Sequence, residues 1–129
     1  MLMIFAFLAL AAQTPPTLQG NWTNARGSVV VLIAPCEGQE LLCGTVQSAS
    51  DKAKDDARKA GTAELVGVEL FRDFVPRGQD RWTGVLFVPD LKKRSQAEIV
   101  RLDDDHLRVR GCVIGKLLCK SQIWSRVRD

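Results

Sequence analysis

The chain has 129 residues, 46% of apolar types and 26% charged, with a formal net charge of +3. That length fits one domain with a modest core. Lys and Arg are interspersed with Asp and Glu, and no basic stripe carries aromatics between its charges, so nucleic acid is not an expected partner.

Met1 to Leu10 is an apolar run (MLMIFAFLAL), followed by Ala11 and Ala12. It reads as a secretory h-region with an A-x-A site at Ala9-Leu10-Ala11, so residues 1–12 are expected to be a signal peptide. The run is shorter than the roughly 20 residues a membrane-spanning helix needs. No Lys or Arg precedes it, which leaves an uncleaved anchor or a misassigned start as the competing reading. No Cys follows the Ala pair, so a lipid anchor is not expected. Residues 13–18 form a Pro-rich lead-in, and 19–128 form the domain.

Past the lead-in, short runs rich in β-branched and aromatic residues alternate with turn signals. They are Gln19–Asn24, Ser28–Ala34, Leu41–Ser48, Leu65–Val75, Arg81–Val88, Ser95–Leu102, His106–Val113 and Leu117–Arg128. Pro35, Pro76-Arg77-Gly78, Pro89-Asp90 and the acidic turn Asp103-Asp104-Asp105 punctuate them. The reading is about eight strands. Period two places Leu107 and Val109 on one face and His106, Arg108 and Arg110 on the other. In the last run Leu118, Lys120, Gln122, Trp124 and Arg126 share a face. Polar residues on both faces argue against a lipid-exposed wall.

Asp51–Ala60 breaks the pattern. It is rich in helix formers, with Ser50 placed as an N-cap and Gly61 at the C′ position. Lys52–Asp56 and Asp55–Lys59 are spaced as i,i+4 ion pairs. Large apolar residues are few, so a solvated surface helix or a loop is expected.

All four cysteines lie in two copies of one phrase, C-x4-L-L-C: Cys36 to Cys43 and Cys112 to Cys119. Each has a Gly between apolar runs, as a β-hairpin does. Opposed residues in antiparallel strands bring their Cα atoms to roughly 4.5–5.5 Å, within disulfide reach. Placing the loops at Gly38–Leu41 and Ile114–Leu117 pairs Cys36 with Cys43 and Cys112 with Cys119 in the same way. The spacing is wider than zinc knuckles or a C-x-x-C redox pair, so disulfides and an oxidising compartment are expected. Cross-pairing of Cys36 with Cys112 or Cys119 stays open.

Gly20-Asn21-Trp22 at the first strand and Arg126 on the last resemble the ends of lipocalin-like (calycin) barrels. That resemblance implies a Trp plugging the closed end and an Arg stacked across it, a cation–π arrangement. The match becomes more specific from Leu107 through Cys112 and Cys119 to Gln122-Ile123-Trp124-Ser125-Arg126-Val127. Together with Leu42-Cys43-Gly44, Trp82-Thr83-Gly84 and Pro89-Asp90, it resembles domain-of-unknown-function family 2147, small exported bacterial proteins. The likeness runs from about Gly20 to Val127. It implies a lipocalin-like barrel in the periplasm or secreted, and no established activity. The family's central Asn-Pro-Asp and Arg-rich stretch is replaced here by the charged run 51–62. The family's Gly and Tyr after the Pro-Asp turn are also missing, and the chain has no Tyr.

Catalytic chemistry has little to stand on. His106 is the only histidine and follows an acidic turn, where exposure is the ordinary state; no G-x-S-x-G elbow is present. The Asp run lacks the spaced ligands of a calcium loop. No catalytic residue, metal or cofactor is therefore assigned.

The expectation is an all-β, about eight-stranded antiparallel up-and-down lipocalin-like barrel with a short helix or loop near 51–60. Its function would be non-catalytic binding of a small apolar or amphipathic ligand, with Phe71, Trp82, Leu86 and Phe87 as candidate wall residues. The alternative is a side-chain-filled barrel whose partner is another envelope protein.

Overall fold

The computed structural model describes residues 17–37, 40–113 and 118–128. The expected signal peptide, residues 13–16 of the lead-in, and the loop residues 38–39 and 114–117 lie outside them.

Eight strands run in chain order: β1 Gly20–Thr23, β2 Val29–Pro35, β3 Leu42–Ala49, β4 Glu69–Pro76, β5 Arg81–Val88, β6 Lys93–Asp103, β7 His106–Val113 and β8 Leu118–Arg126. Each pairs antiparallel with the next, and β8 returns to β1, closing an up-and-down barrel. The expected run 65–75 is shortened at its start. Residues 65–68 form a connection, tied to β3 by the bonds Gly67 N–H to Val46 C=O (2.8 Å) and Val46 N–H to Val68 C=O (2.9 Å).

Closure depends on a short seam. β1 meets β8 through two residue pairs, Trp22 with Arg126 and Thr23 with Ser125. Trp22 is fully buried. The Arg126 guanidinium lies over its ring at 4.3 Å from the centroid. The same side chain donates to three carbonyls: Nε to Asp104 (2.8 Å), Nη1 to Gln19 (2.9 Å) and Nη2 to Thr17 (3.3 Å). The indole Nε1–H donates to the Leu18 carbonyl at 2.8 Å, so the plug carries no unpaired polar atom. Gly20 is required for this approach. Its φ is +132°, and a Cβ there would stand 2.6 Å from Arg126 Nη1. The spacing Gly-x-Trp thus follows from what Arg126 must pass.

Above the plug the barrel is packed solid. Phe71 and Phe74 both point inward although three residues apart, which strict alternation forbids. A bulge between Arg72 and Val75, with Asp73 at φ 57°, supplies the extra residue. The rings meet edge to face at 5.7 Å. Room for them comes from neighbouring strands: a Cβ on Gly44 would reach Phe71 at 2.5 Å, and one on Gly84 would reach Phe74 at 2.7 Å. Trp82, Ile99, Leu107, Val31 and Ile33 complete this half.

The helix α1 spans Asp51–Lys59. Ser50 caps it, its Oγ accepting from Ala53 N–H at 3.1 Å, and Gly61 follows at φ +103°. Lys52–Asp56 forms at 3.0 Å; in place of Asp55–Lys59, Asp55 pairs with Arg58 at 2.8 Å. The helix is not wholly solvated: Ala57 is fully buried and joins the core with Leu65 and Leu70. Its inward face is built from Ala, so it lies close without large apolar side chains. Among the described residues no helix is long and apolar enough to cross a membrane.

Both disulfides are local, Cys36–Cys43 and Cys112–Cys119. The two hairpins are not equivalent, contrary to the symmetry of the phrase. Cys112 stands directly opposite Cys119 in the ladder. Cys43 stands opposite Ala34, while Cys36 has left β2 and donates its N–H to Leu41 C=O at 2.6 Å. The first bridge is therefore diagonal. Up-and-down order places it at the plugged end and the second at the opposite end.

Four outcomes are expected. Arg126→Ala should lower unfolding free energy in urea by about 2–3 kcal/mol, because the ring contact and three carbonyl partners go together. Arg126→Lys should recover less than half of that, lacking the planar fork. Titration of the native protein with a thiol reagent should find no reactive cysteine. Reducing either bridge should cost about 2.5 kcal/mol for its eight-residue loop.

Candidate functional site

The end opposite the plug is open. A cavity of about 640 Å³ begins at the rim and descends to Trp124. Its wall comes from inward positions of four adjacent strands: Leu86 on β5, Ser95 on β6, Val109 and Gly111 on β7, and Lys120, Gln122 and Trp124 on β8. Val29 and Leu70 contribute from β2 and β4. The rim is made of the β1–β2 loop around Asn24–Arg26, the first turns of α1, and the β5–β6 turn Pro89–Leu91. The loop is held by Asn24, whose Oδ1 accepts from the N–H of Ser28 (2.8 Å) and of Val29 (3.1 Å).

Trp124 separates open from packed. It lines the cavity and meets Phe71 edge to face at 5.3 Å. The bulge that turns both Phe71 and Phe74 inward thus sets the height of the floor. Of the four residues expected to form the wall, Leu86 and Phe87 line the cavity. Phe71 and Trp82 do not; both are buried in the packed half, Phe71 directly under the floor. Phe87 sits at the rim with the Arg94 guanidinium 5.2 Å above its ring. Gly20, Trp22 and Arg126 lie at the far end and take no part in the cavity.

Sequence reasoning did not assign Ser95, Gly111, Lys120, Gln122 and Trp124 to the site. The signal was nonetheless present for β8. Once Arg126 must lie on Trp22, period two turns Trp124, Gln122 and Lys120 inward as well. Gly111 had no such signal, because a glycine in a strand is silent about which neighbour approaches it.

Other clusters do different work. His106 is exposed on the turn at the plugged end, its Nδ1 2.8 Å from Asp103 Oδ1. The Asp103 carboxyl is held below the usual carboxylate range, first by the Asp105 N–H it accepts and then by the His106 ring. Cys36, Cys43 and Asp73 bring their ligand atoms within 4.8 Å of one another, but both sulfurs are spent in the disulfide, leaving no thiolate for a metal. A shallower groove of about 450 Å³ runs over the outside of β4–β7, lined by Asp73, Arg77, Glu98 and Arg110 among others.

Comparison with known proteins agrees with this architecture. A family model described as an uncharacterized protein conserved in bacteria (DUF2147) matches residues 20–126. Among solved structures the chain is similar to protein HP1028 from the human pathogen Helicobacter pylori, described as belonging to the lipocalin family. The two share 14% identity and a TM-score of 0.65, over 90% of this chain and 86% of the other. No curated protein matches. The chain belongs to the DUF2147 family and has a lipocalin-like fold.

A carboxyl whose folded pKa is lowered stabilises the fold above its unfolded value, near 4, and loses that contribution as pH falls through the folded value. Asp103→Asn should therefore flatten the fall in urea midpoint between neutral pH and pH 3, measured by tryptophan fluorescence.

Proposed function

We propose that this DUF2147 member is an exported, non-catalytic binding protein that takes one small apolar or amphipathic ligand into the open half of its barrel. One observation carries the reading: a cavity of about 640 Å³ opens at one end of a barrel whose other end is sealed by Trp22 and Arg126. That volume falls within the roughly 300–1,000 Å³ of small-molecule sites. The lining is mixed in the way such sites are, with Leu70, Leu86, Val109 and Trp124 beside a few polar groups. Among the described residues the lining holds no histidine and no cysteine, the two side chains most often used for acid–base or nucleophilic work near neutral pH. The periplasm or the extracellular space suits the apolar leader sequence and the two disulfides.

The second reading, a filled barrel that binds an envelope protein, is favoured by the packed lower half and the outer groove on β4–β7. That groove carries four charged residues, Asp73, Arg77, Glu98 and Arg110, and an interface core is depleted of charge. The cavity therefore weighs more.

Native mass spectrometry of protein purified from the periplasm should show a co-purified lipid-sized mass. Gln122 is exposed on the cavity wall, so Gln122→Trp should plug the lumen without disturbing the core. The variant should melt like the parent and bind N-phenyl-1-naphthylamine at least tenfold more weakly, a loss of about 1.4 kcal/mol or more. An apo mass combined with unchanged probe binding would show that the cavity is not the site.

A further inference from the structure

Ser95 and Lys120, both on the cavity wall, have no protein partner among the described residues. Ser95 is 8% exposed, and its Oγ makes no hydrogen bond. Buried hydroxyls are paired as a rule; this one, itself out of contact with the lumen, gains a partner in the cavity when its side chain turns about χ1 toward a ligand atom. Lys120 makes no ion pair or hydrogen bond among the described residues. Among the described residues it is also the only charged side chain that a strand contributes to the lining. The helical charges at the rim, Lys52 and Asp56, neutralise each other at 3.0 Å.

These two groups flank one glycine. Gly111 on β7 pairs directly with Lys120 on β8. On its other side, a Cβ on Gly111 would stand 3.1 Å from Ser95 Oγ and 3.1 Å from Leu86 Cδ2. Ser95 Oγ and Leu86 Cδ2 occupy the place a side chain at 111 would need, so only a glycine fits between that hydroxyl and the Lys120 position. The Cys112–Cys119 bridge follows immediately along both strands and fixes this register.

We propose that the cavity wall between Ser95 and Lys120 seats the head group of a single-chain amphiphile bearing an anionic oxygen group. Lys120 supplies the counter-charge, and Ser95 Oγ–H donates to an anionic oxygen. The tail lies against Leu70, Leu86, Val109 and Trp124. This rests on the cavity being the ligand site and adds the sign of the ligand's charge. Charge-assisted hydrogen bonds are about twice as strong as neutral ones, and the seat offers one from each side.

The test is calorimetric titration of the disulfide-intact protein with dodecanoate, dodecanol and dodecyltrimethylammonium, all below their micelle concentrations. Dodecanoate should bind about tenfold more tightly than dodecanol, the worth of one hydrogen bond to a charged group. Lys120→Gln should erase that preference, and Lys120→Glu should invert it toward dodecyltrimethylammonium. An inverted preference cannot come from a merely structural lysine. Ser95→Ala should weaken dodecanoate several-fold more than dodecanol. Equal binding of dodecanoate and dodecanol, unmoved by either Lys120 variant, would overturn the head-group seat while leaving the cavity reading intact. Failure of all three to bind would overturn both.

Discussion

The guanidinium of Arg126 on the indole of Trp22 is the contact on which the rest of the barrel depends. The β1–β8 seam is only two residue pairs long, too little ladder to hold a cylinder shut by backbone bonds alone. Arg126 adds three hydrogen bonds to carbonyls in the lead-in and the β6–β7 turn, and so ties both chain ends and a turn to one ring. With one end sealed, a hollow barrel can only open at the other. The direction of the cavity is thus decided by a contact that does not touch it.

How far the cavity descends is decided by the bulge in β4. Asp73 in the left-handed region lets Phe71 and Phe74 both enter the lumen, and Gly44 and Gly84 give up their side-chain volume to receive them. Phe71 then supports Trp124, and Trp124 is the floor. Above it, Gly111 gives up its side-chain volume to Leu86 and Ser95. The same device, a glycine facing inward, therefore admits aromatic rings in the packed half and a leucine and a serine beside the cavity.

Much of this was legible in the sequence. Period two, Pro and Gly punctuation and the acidic turn marked every strand, and Ser50 with Gly61 marked both ends of the helix. Gly-x-Trp with Arg126 marked the sealed end. What was not legible follows from two physical facts. A bulge shifts side-chain parity by one residue, so alternation could not show that Phe71 would support a floor rather than form a wall. Register is set by partners: the two copies of C-x4-L-L-C look alike, yet Cys112 and Cys119 are opposed while Cys36 and Cys43 are bridged diagonally. Lys120 was placed on the same face as Trp124 and Arg126 from alternation alone. Its standing as an unpaired charge on a cavity wall needed its neighbours.

The barrel is divided between a sealed end around Trp22 and an open end floored by Trp124, and the chain's three tryptophans report on that division directly. The decisive measurement is a two-dimensional ¹H–¹⁵N spectrum of the indole groups during titration with dodecanol, a neutral probe indifferent to any head-group preference. The Trp124 indole signal should shift saturably. The Trp22 signal, bonded to the Leu18 carbonyl at 2.8 Å, should stay in place and exchange slowly with deuterium. A Trp22 signal that moves with ligand while Trp124 stays still would place the opening at the wrong end and contradict the account.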